Sequence, residues 1–225
     1  MPDSSPRYGL ALHTSTPELG LAIAPLSGAD GNAPNPEPLQ GDGDRVAVWD
    51  LGYALSSQIH VLLQDFIQPV PWSSIGLLAV AQGPGGFTGT RVGVVTARTL
   101  AQQLDVPLFA VSSLAAVALR DGASSKRGTD MAVEMPARRG QIYGGIYRLG
   151  STAAELLAQQ PDGVMDQAAW AKTLESWPNP YHQVEASGGL GATAEQVLAI
   201  AIDRWQRGDR PQWPEALPFY GQSPV

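Results

Sequence analysis

The chain has 225 residues, 44% of them hydrophobic, and a formal net charge of -7. That length exceeds one typical domain of ~100–150 residues, so two small domains or one bilobed domain fit. An acidic chain without a basic run is a poor binder of nucleic-acid phosphates by itself, and the absence of cysteine excludes disulfides, thiol chemistry and thiolate zinc sites.

The first residues, "MPDSSPRYGL", lack the basic segment and apolar stretch of a signal peptide. No apolar run approaches the ~20 residues that span a bilayer, so a cytoplasmic protein with no membrane contact is expected. "YGLALHT" (8–14) reads as a strand, "STPE" as a turn, and Leu19 to Ala24 as a second strand. Residues 25–43, rich in Pro, Gly, Asn and Asp, read as a long loop. Arg45 to Trp49 predicts a third strand. "ALSSQIHVLLQDFI" (54–67) carries Leu55, Ile59, Leu62, Leu63, Phe66 and Ile67 at helical spacing, and Pro69 and Pro71 end that helix. Ile75 to Val80 is a continuous apolar strand of the kind buried on both faces. A glycine-rich turn follows, then a helix from about Thr88 to Leu104 and a strand in "VPLFAVSS" (106–113).

A polar segment, "RDGASSKRGTD" (120–130), separates the two halves; the reading assigns 1–118 to a first lobe and 119–225 to a second. The second half predicts strands at Met131–Met135 and Gln141–Leu149 and helices near 166–175 and 193–207. Trp205 and Trp213 read as packing residues. The three histidines, His13, His60 and His182, stand in no metal-ligand spacing, so no metal is expected.

The turn "GPGGFTG" (83–89) invites two readings. A helix N-terminus presents unpaired N–H groups and partial positive charge, and glycine lets the backbone approach a phosphate. This makes Gly83, Gly85, Gly86 and Thr88 candidate anion- or nucleotide-binding residues. Yet the turn has no lysine for a P-loop, and its third glycine falls one residue late for a dinucleotide fingerprint. A tight structural turn, with Thr88 as N-cap, fits the same residues. The helix that follows carries Gly89, Gly93, Ala97 and Ala101 four residues apart. That smooth face suits close packing either on the chain's own sheet or on a partner's helix, and Val92, Val95, Thr96 and Thr99 lie on its other faces.

The stretch "LLAVAQGPGGFTGTRVGVVTARTLAQQLDVPLFAVSSLAAVA" (77–118) resembles the signature region of the TsaB family, also called YeaZ, of glycoprotease-like subunits in tRNA threonylcarbamoyladenosine biosynthesis. The family pattern is G-P-G-S-F-T-G-x-R-[IV]-G, then a small-residue helix and a strand ending in S-[ST]-L; Gly86 stands where the family has serine. "LALHTSTPELGLAIA", "ARRGQIYGGIYRL" (137–149) and "PEALPFYGQSPV" extend the likeness more loosely.

The resemblance implies an α/β fold of the actin/Hsp70/sugar-kinase (ribonuclease H-like) class, with two lobes of β-β-β-α-β-α-β each. It implies a non-catalytic subunit that binds a TsaD-like transferase. A TsaE-like ATPase joins the assembly, tRNA is met only through the complex, and a homodimer is an alternative state. No cofactor is used catalytically, and ATP or ADP binds only at the complex interface. The first-lobe helices form the family's partner contact, which carries over to Ser57, His60, Val61, Gln64, Gly89, Arg91, Val92, Gly93, Thr96, Ala97 and Leu100. The chain departs from the family at His13, where an Asp is usual, and at Pro136 and Gln141, which replace both carboxylates of D-A-R-x-G-E. Imidazole, proline and amide are poor substitutes for a carboxylate that holds Mg²⁺ or takes a proton. The competing readings are an active ATPase or sugar-kinase-like enzyme of the same class, and a protease, for which no nucleophile or metal motif is present.

Overall fold

The structure, a computed structural model, describes residues 7–26 and 44–221. The loop expected at 25–43 lies outside the described residues from 27 onward. Five strands build the first sheet: β1 (Tyr8–His13), β2 (Glu18–Pro25), β3 (Arg45–Asp50), β4 (Ile75–Ala81) and β5 (Leu108–Val111), in the order β3-β2-β1-β4-β5. β1 and β3 run antiparallel to β2, whereas β1, β4 and β5 are parallel. Every residue of β4 is buried, as its unbroken apolar run requires.

Side chains alternate along β1. Tyr8, Leu10 and Leu12 join a core beneath two helices, α1 (Leu55–Ile67) and α2 (Phe87–Leu104). Ala11 faces the opposite core. Helix α1 buries Leu55, Ile59, Leu63 and Ile67, one residue per turn.

The second sheet holds β6 (Asp130–Pro136), β7 (Gln141–Leu149), β8 (Leu156–Asp166) and β9 (Tyr181–Glu185), in the order β8-β7-β6-β9. Its antiparallel β6–β7–β8 meander and parallel β6–β9 pair repeat the plan of β1–β4. The repeat then stops. No counterpart of β5 follows among the described residues, so the second lobe lacks the closing strand of the expected β-β-β-α-β-α-β unit. Asp130 anchors this sheet from a fully buried position, accepting hydrogen bonds from Arg148 Nε (2.7 Å), Arg148 Nη2 (2.8 Å) and Trp177 Nε1 (3.0 Å). Burial pushes its pKa up, but those donors and the Arg148 charge outweigh burial and hold it below the usual carboxylate range.

Three further helices complete the layers: α3 (Ser113–Asp121), α4 (Gln167–Glu175) and α5 (Ala194–Gln206). Helix α3 follows the first sheet yet packs on β6 and β7, while α5 returns from the second lobe to pack on β1, β2 and β4. The two helices touch and share one core between the sheets. A division after residue 118 therefore falls inside α3. Helix α4 covers the outer face of the second sheet through Trp170 and Leu174.

Candidate functional site: the glycine turn, the interlobe cleft and the outer helix face

The glycine turn is occupied by the chain itself. Gly83 takes φ +100, a conformation that disfavours any side chain. A Cβ on Gly85 would stand 2.2 Å from the Ser15 carbonyl oxygen, and one on Gly89 2.3 Å from that of Thr14. The Gly86 N–H donates to Ser15 O (2.7 Å), and Thr14 Oγ1 donates to Gly89 O (2.9 Å). The β1–β2 turn thus fills the space beside Gly85 and Gly89 that a bound phosphate needs. Gly86 and Thr88 stay exposed toward the cleft. Thr88 is not the N-cap: Gly86 holds that position and no side chain caps the helix.

The small-residue face of α2 is turned inward. Gly93, Ala97 and Ala101 are buried, and a Cβ on Gly93 would lie 2.1 Å from Thr14 Oγ1. Thr96 is buried too. Gly89, Gly93, Thr96 and Ala97 therefore present no side chain to a partner. Val95, on another face of the helix, is 60% exposed. What lies outside is a different set. Ser57, His60, Val61 and Gln64 on α1 and Arg91 on α2 are exposed, and Val92 and Leu100 are half-buried. Val61 is 55% exposed, so this outer surface shows two apolar side chains, Val61 and Val95, to solvent. Helical phase separates the two faces, and only the side that meets the sheet decides which is which.

Between the lobes lies a cleft of about 1010 Å³, walled by the Thr14–Pro17 turn, the Gly85–Gly89 turn, Pro136 to Arg138, Tyr143 and Tyr220. No Asp or Glu is among its lining residues. Pro136 lines it, Gln141 opens β7, and the third departure, His13, is sealed away at 0% exposure with neither ring nitrogen hydrogen-bonded. Burial pushes the His13 imidazole down to about 3, so it is neutral. Among the described residues no group of three His, Cys, Asp or Glu side chains is placed to hold a metal ion.

The His13 environment makes a pH prediction. Its folded pKa lies below the unfolded value of about 6.5, so the unfolded chain binds the extra proton first. Stability is then full above pH ~6.5 and falls as pH drops from there toward 3, by up to ~1.4 kcal/mol per pH unit from this residue. Urea midpoints measured from pH 7.5 down to 4.5 are expected to fall less steeply in His13→Leu than in wild type; parallel curves would refute the assignment.

Two features escaped sequence reasoning. The first is the C-terminal segment, which crosses the mouth of the turn. Phe219 N–H donates to Gln82 O (2.7 Å), Tyr220 stacks at 4.9 Å on Phe87, and the Arg91 guanidinium covers the same Phe87 ring at 5.2 Å. Trp213 and Trp205 pack against the two main cores, as read. The second is a part-buried polar cluster that joins the lobes. Ser112, which caps α3, donates to Asp162 Oδ2 (2.6 Å), and the Tyr147 hydroxyl donates to the other carboxylate oxygen. Burial raises the Asp162 pKa despite the two donors, and burial together with the Asp162 charge raises that of Tyr147 well above 10.

Comparisons with known proteins agree with this architecture. A family model described as "TsaD: tRNA N6-adenosine threonylcarbamoyltransferase" matches residues 54–199. The tRNA threonylcarbamoyladenosine biosynthesis protein TsaB of Escherichia coli (strain K12) is 38% identical over 205 residues, which cover 78% of this chain and 88% of that protein. TsaB of Bacillus subtilis (strain 168) is 38% identical over 125 residues, 54% of this chain and 50% of that protein, so this match spans about half the relative's length. The structure of YeaZ from Pseudomonas aeruginosa has the same fold, with a TM-score of 0.70 at 24% identity over 95% of this chain and 100% of that one. The molecule is a two-lobed α/β protein with one five-stranded and one four-stranded sheet, and no Asp or Glu lines the cleft between its lobes. It belongs to the TsaB (YeaZ) family of tRNA threonylcarbamoyladenosine biosynthesis proteins.

Proposed function

We propose that this chain is a non-catalytic subunit that binds a TsaD-like transferase through the outer face of α1 and α2 and supports its action on tRNA. The observation that carries this reading is the cleft: its wall mixes Thr, Ser, Gly, Pro, Tyr and one Arg with apolar residues such as Leu55, Phe87, Val92, Met135 and Phe219, without a carboxylate to take a proton or bind Mg²⁺. The exposed Val61 and Val95 give the outer face an apolar centre among polar neighbours, the anatomy of a contact surface. In this reading a TsaE-like ATPase joins the same assembly, a second copy of the chain competes for the same face, and tRNA is met through the transferase. ATP or ADP is held only where the complex covers Gly86 and Thr88. The setting is the cytoplasm; no helix among the described residues is long and apolar enough to cross a membrane.

The test is nucleotide turnover by the purified chain. No sustained ATP hydrolysis above the buffer rate is expected. Sustained hydrolysis that disappears in Thr88→Val, an exposed cleft residue whose change spares the fold, would establish the ATPase or kinase reading instead.

A further inference from the structure

The second sheet ends where the first continues. β4 is flanked by β1 and β5, but β9, its counterpart, pairs with β6 alone among the described residues. The Ala186 N–H donates to Glu134 O (2.7 Å) in the β6–β9 register. Parallel pairing alternates, so His182 and Val184 also face β6, and the N–H and C=O groups of Gln183 and Glu185 face the open edge. Such edges are normally blunted by Lys, Pro or a bulge, and β9, "YHQVE", contains none of these.

Beside this edge lies a groove of about 440 Å³ between α4 and the outer face of the sheet. Glu134, Glu175, Trp170, Leu174, Tyr181 and Gln183 line it, and no Lys, Arg or His does. Trp170 is 3% exposed and its indole N–H has no hydrogen-bond acceptor, an unmet donor in the groove wall. Two carboxylates beside two aromatic rings match a cationic side chain, which gains from both the charges and the ring faces.

We propose that the β9 edge and its acidic groove dock an extended segment of a partner protein that bears lysine or arginine. The segment adds a fifth strand through main-chain hydrogen bonds to Gln183 and Glu185, and seats a cationic side chain between Glu134 and Glu175. The acidic lining repels nucleic acid. It also opposes a second copy of this chain, which brings Glu185 and the same groove to the contact. The proposal does not depend on the role of the cleft or of the α1/α2 face.

The test uses amide NMR spectra of the isotope-labelled full chain, titrated with a short peptide alternating Lys or Arg with Val and with its Glu-for-Lys/Arg counterpart. The basic peptide is expected to shift the Gln183 and Glu185 amides saturably and slow their exchange. Glu134→Gln combined with Glu175→Gln is expected to weaken that binding roughly tenfold. Gln183→Pro, which removes an edge-facing N–H and the Gln183 side chain but no hydrogen bond to β6, is expected to abolish it while circular dichroism stays native. The proposal is overturned if the basic peptide leaves these amides unmoved, if the acidic peptide binds as well, or if the glutamine variants bind unchanged. Self-association that Gln183→Pro removes would also overturn it, by assigning the edge to a second copy.

Discussion

A Gly93→Arg chain is expected to misfold, not to fold normally and lose a partner. The Cβ alone would stand 2.1 Å from Thr14 Oγ1, and the whole α2 face around it is packed on the first sheet. Overpacking a closed core costs ~1–3 kcal/mol and more where backbone must move. The β1–β2 turn is backbone held by the Gly86–Ser15 and Thr14–Gly89 bonds, so it cannot retreat without breaking them. Gly89→Val meets the Thr14 carbonyl oxygen at 2.3 Å and is expected to behave the same way. With a loss of about 3 kcal/mol or more, Tm falls by roughly 6–12 °C for a chain of this size, or the protein is recovered as aggregate. Thr99→Arg, on the exposed side of the same helix, is the control and is expected to change stability by less than ~0.5 kcal/mol. Equal melting of Gly93→Arg and wild type would show that the inward packing of α2 is wrong.

The second large effect belongs to the opposite face. Val61→Asp with Val95→Asp changes two side chains that are more than half exposed, so the fold and Tm are expected to stay near wild type. Binding to the TsaD-like protein is expected to weaken by roughly a hundredfold, as when a buried charge replaces apolar residues central to an interface. Calorimetry or surface-bound titration measures this directly. A double variant that binds as tightly as wild type would move the contact off α1 and α2. The two experiments separate what the sequence could not: a lesion at Gly93 reads folding, and one at Val95 reads association.

Much of the fold was legible because periodicity and punctuation were strong. Leu55, Ile59, Leu63 and Ile67 announce α1, Pro69 and Pro71 close it, and the run Ile75–Val80 can only be a central strand. The elements that were missed lack those signals. Helix α3 is buried from Ser113 to Leu119 and so shows no polar face to set a period. β8 contains Pro161 and Gly163, tolerated because it is an edge strand with shifted register opposite Gly144–Ile146, and β9 is half-exposed and only five residues long.

At the site, the motif identified the turn but not its use. Spacing put Gly89, Gly93 and Ala97 on one face and Val95 on another; which face meets the sheet depends on tertiary packing. Likewise the Asp162–Tyr147–Ser112 cluster joins residues 35 and 50 positions apart, a distance over which no local pattern speaks. The loss of acids at His13, Pro136 and Gln141 was visible at once, whereas the complete sealing of His13 was not.

The central claim is that this chain serves a transferase from its outer helix face and does no chemistry in its cleft. Its most direct test is threonylcarbamoyl transfer to tRNA by the TsaD-like protein and its other partners, with and without this chain. The account predicts that modification requires the chain, and that Val61→Asp with Val95→Asp abolishes it while melting like wild type. Full modification without the chain, or undiminished modification with the double variant, would contradict it.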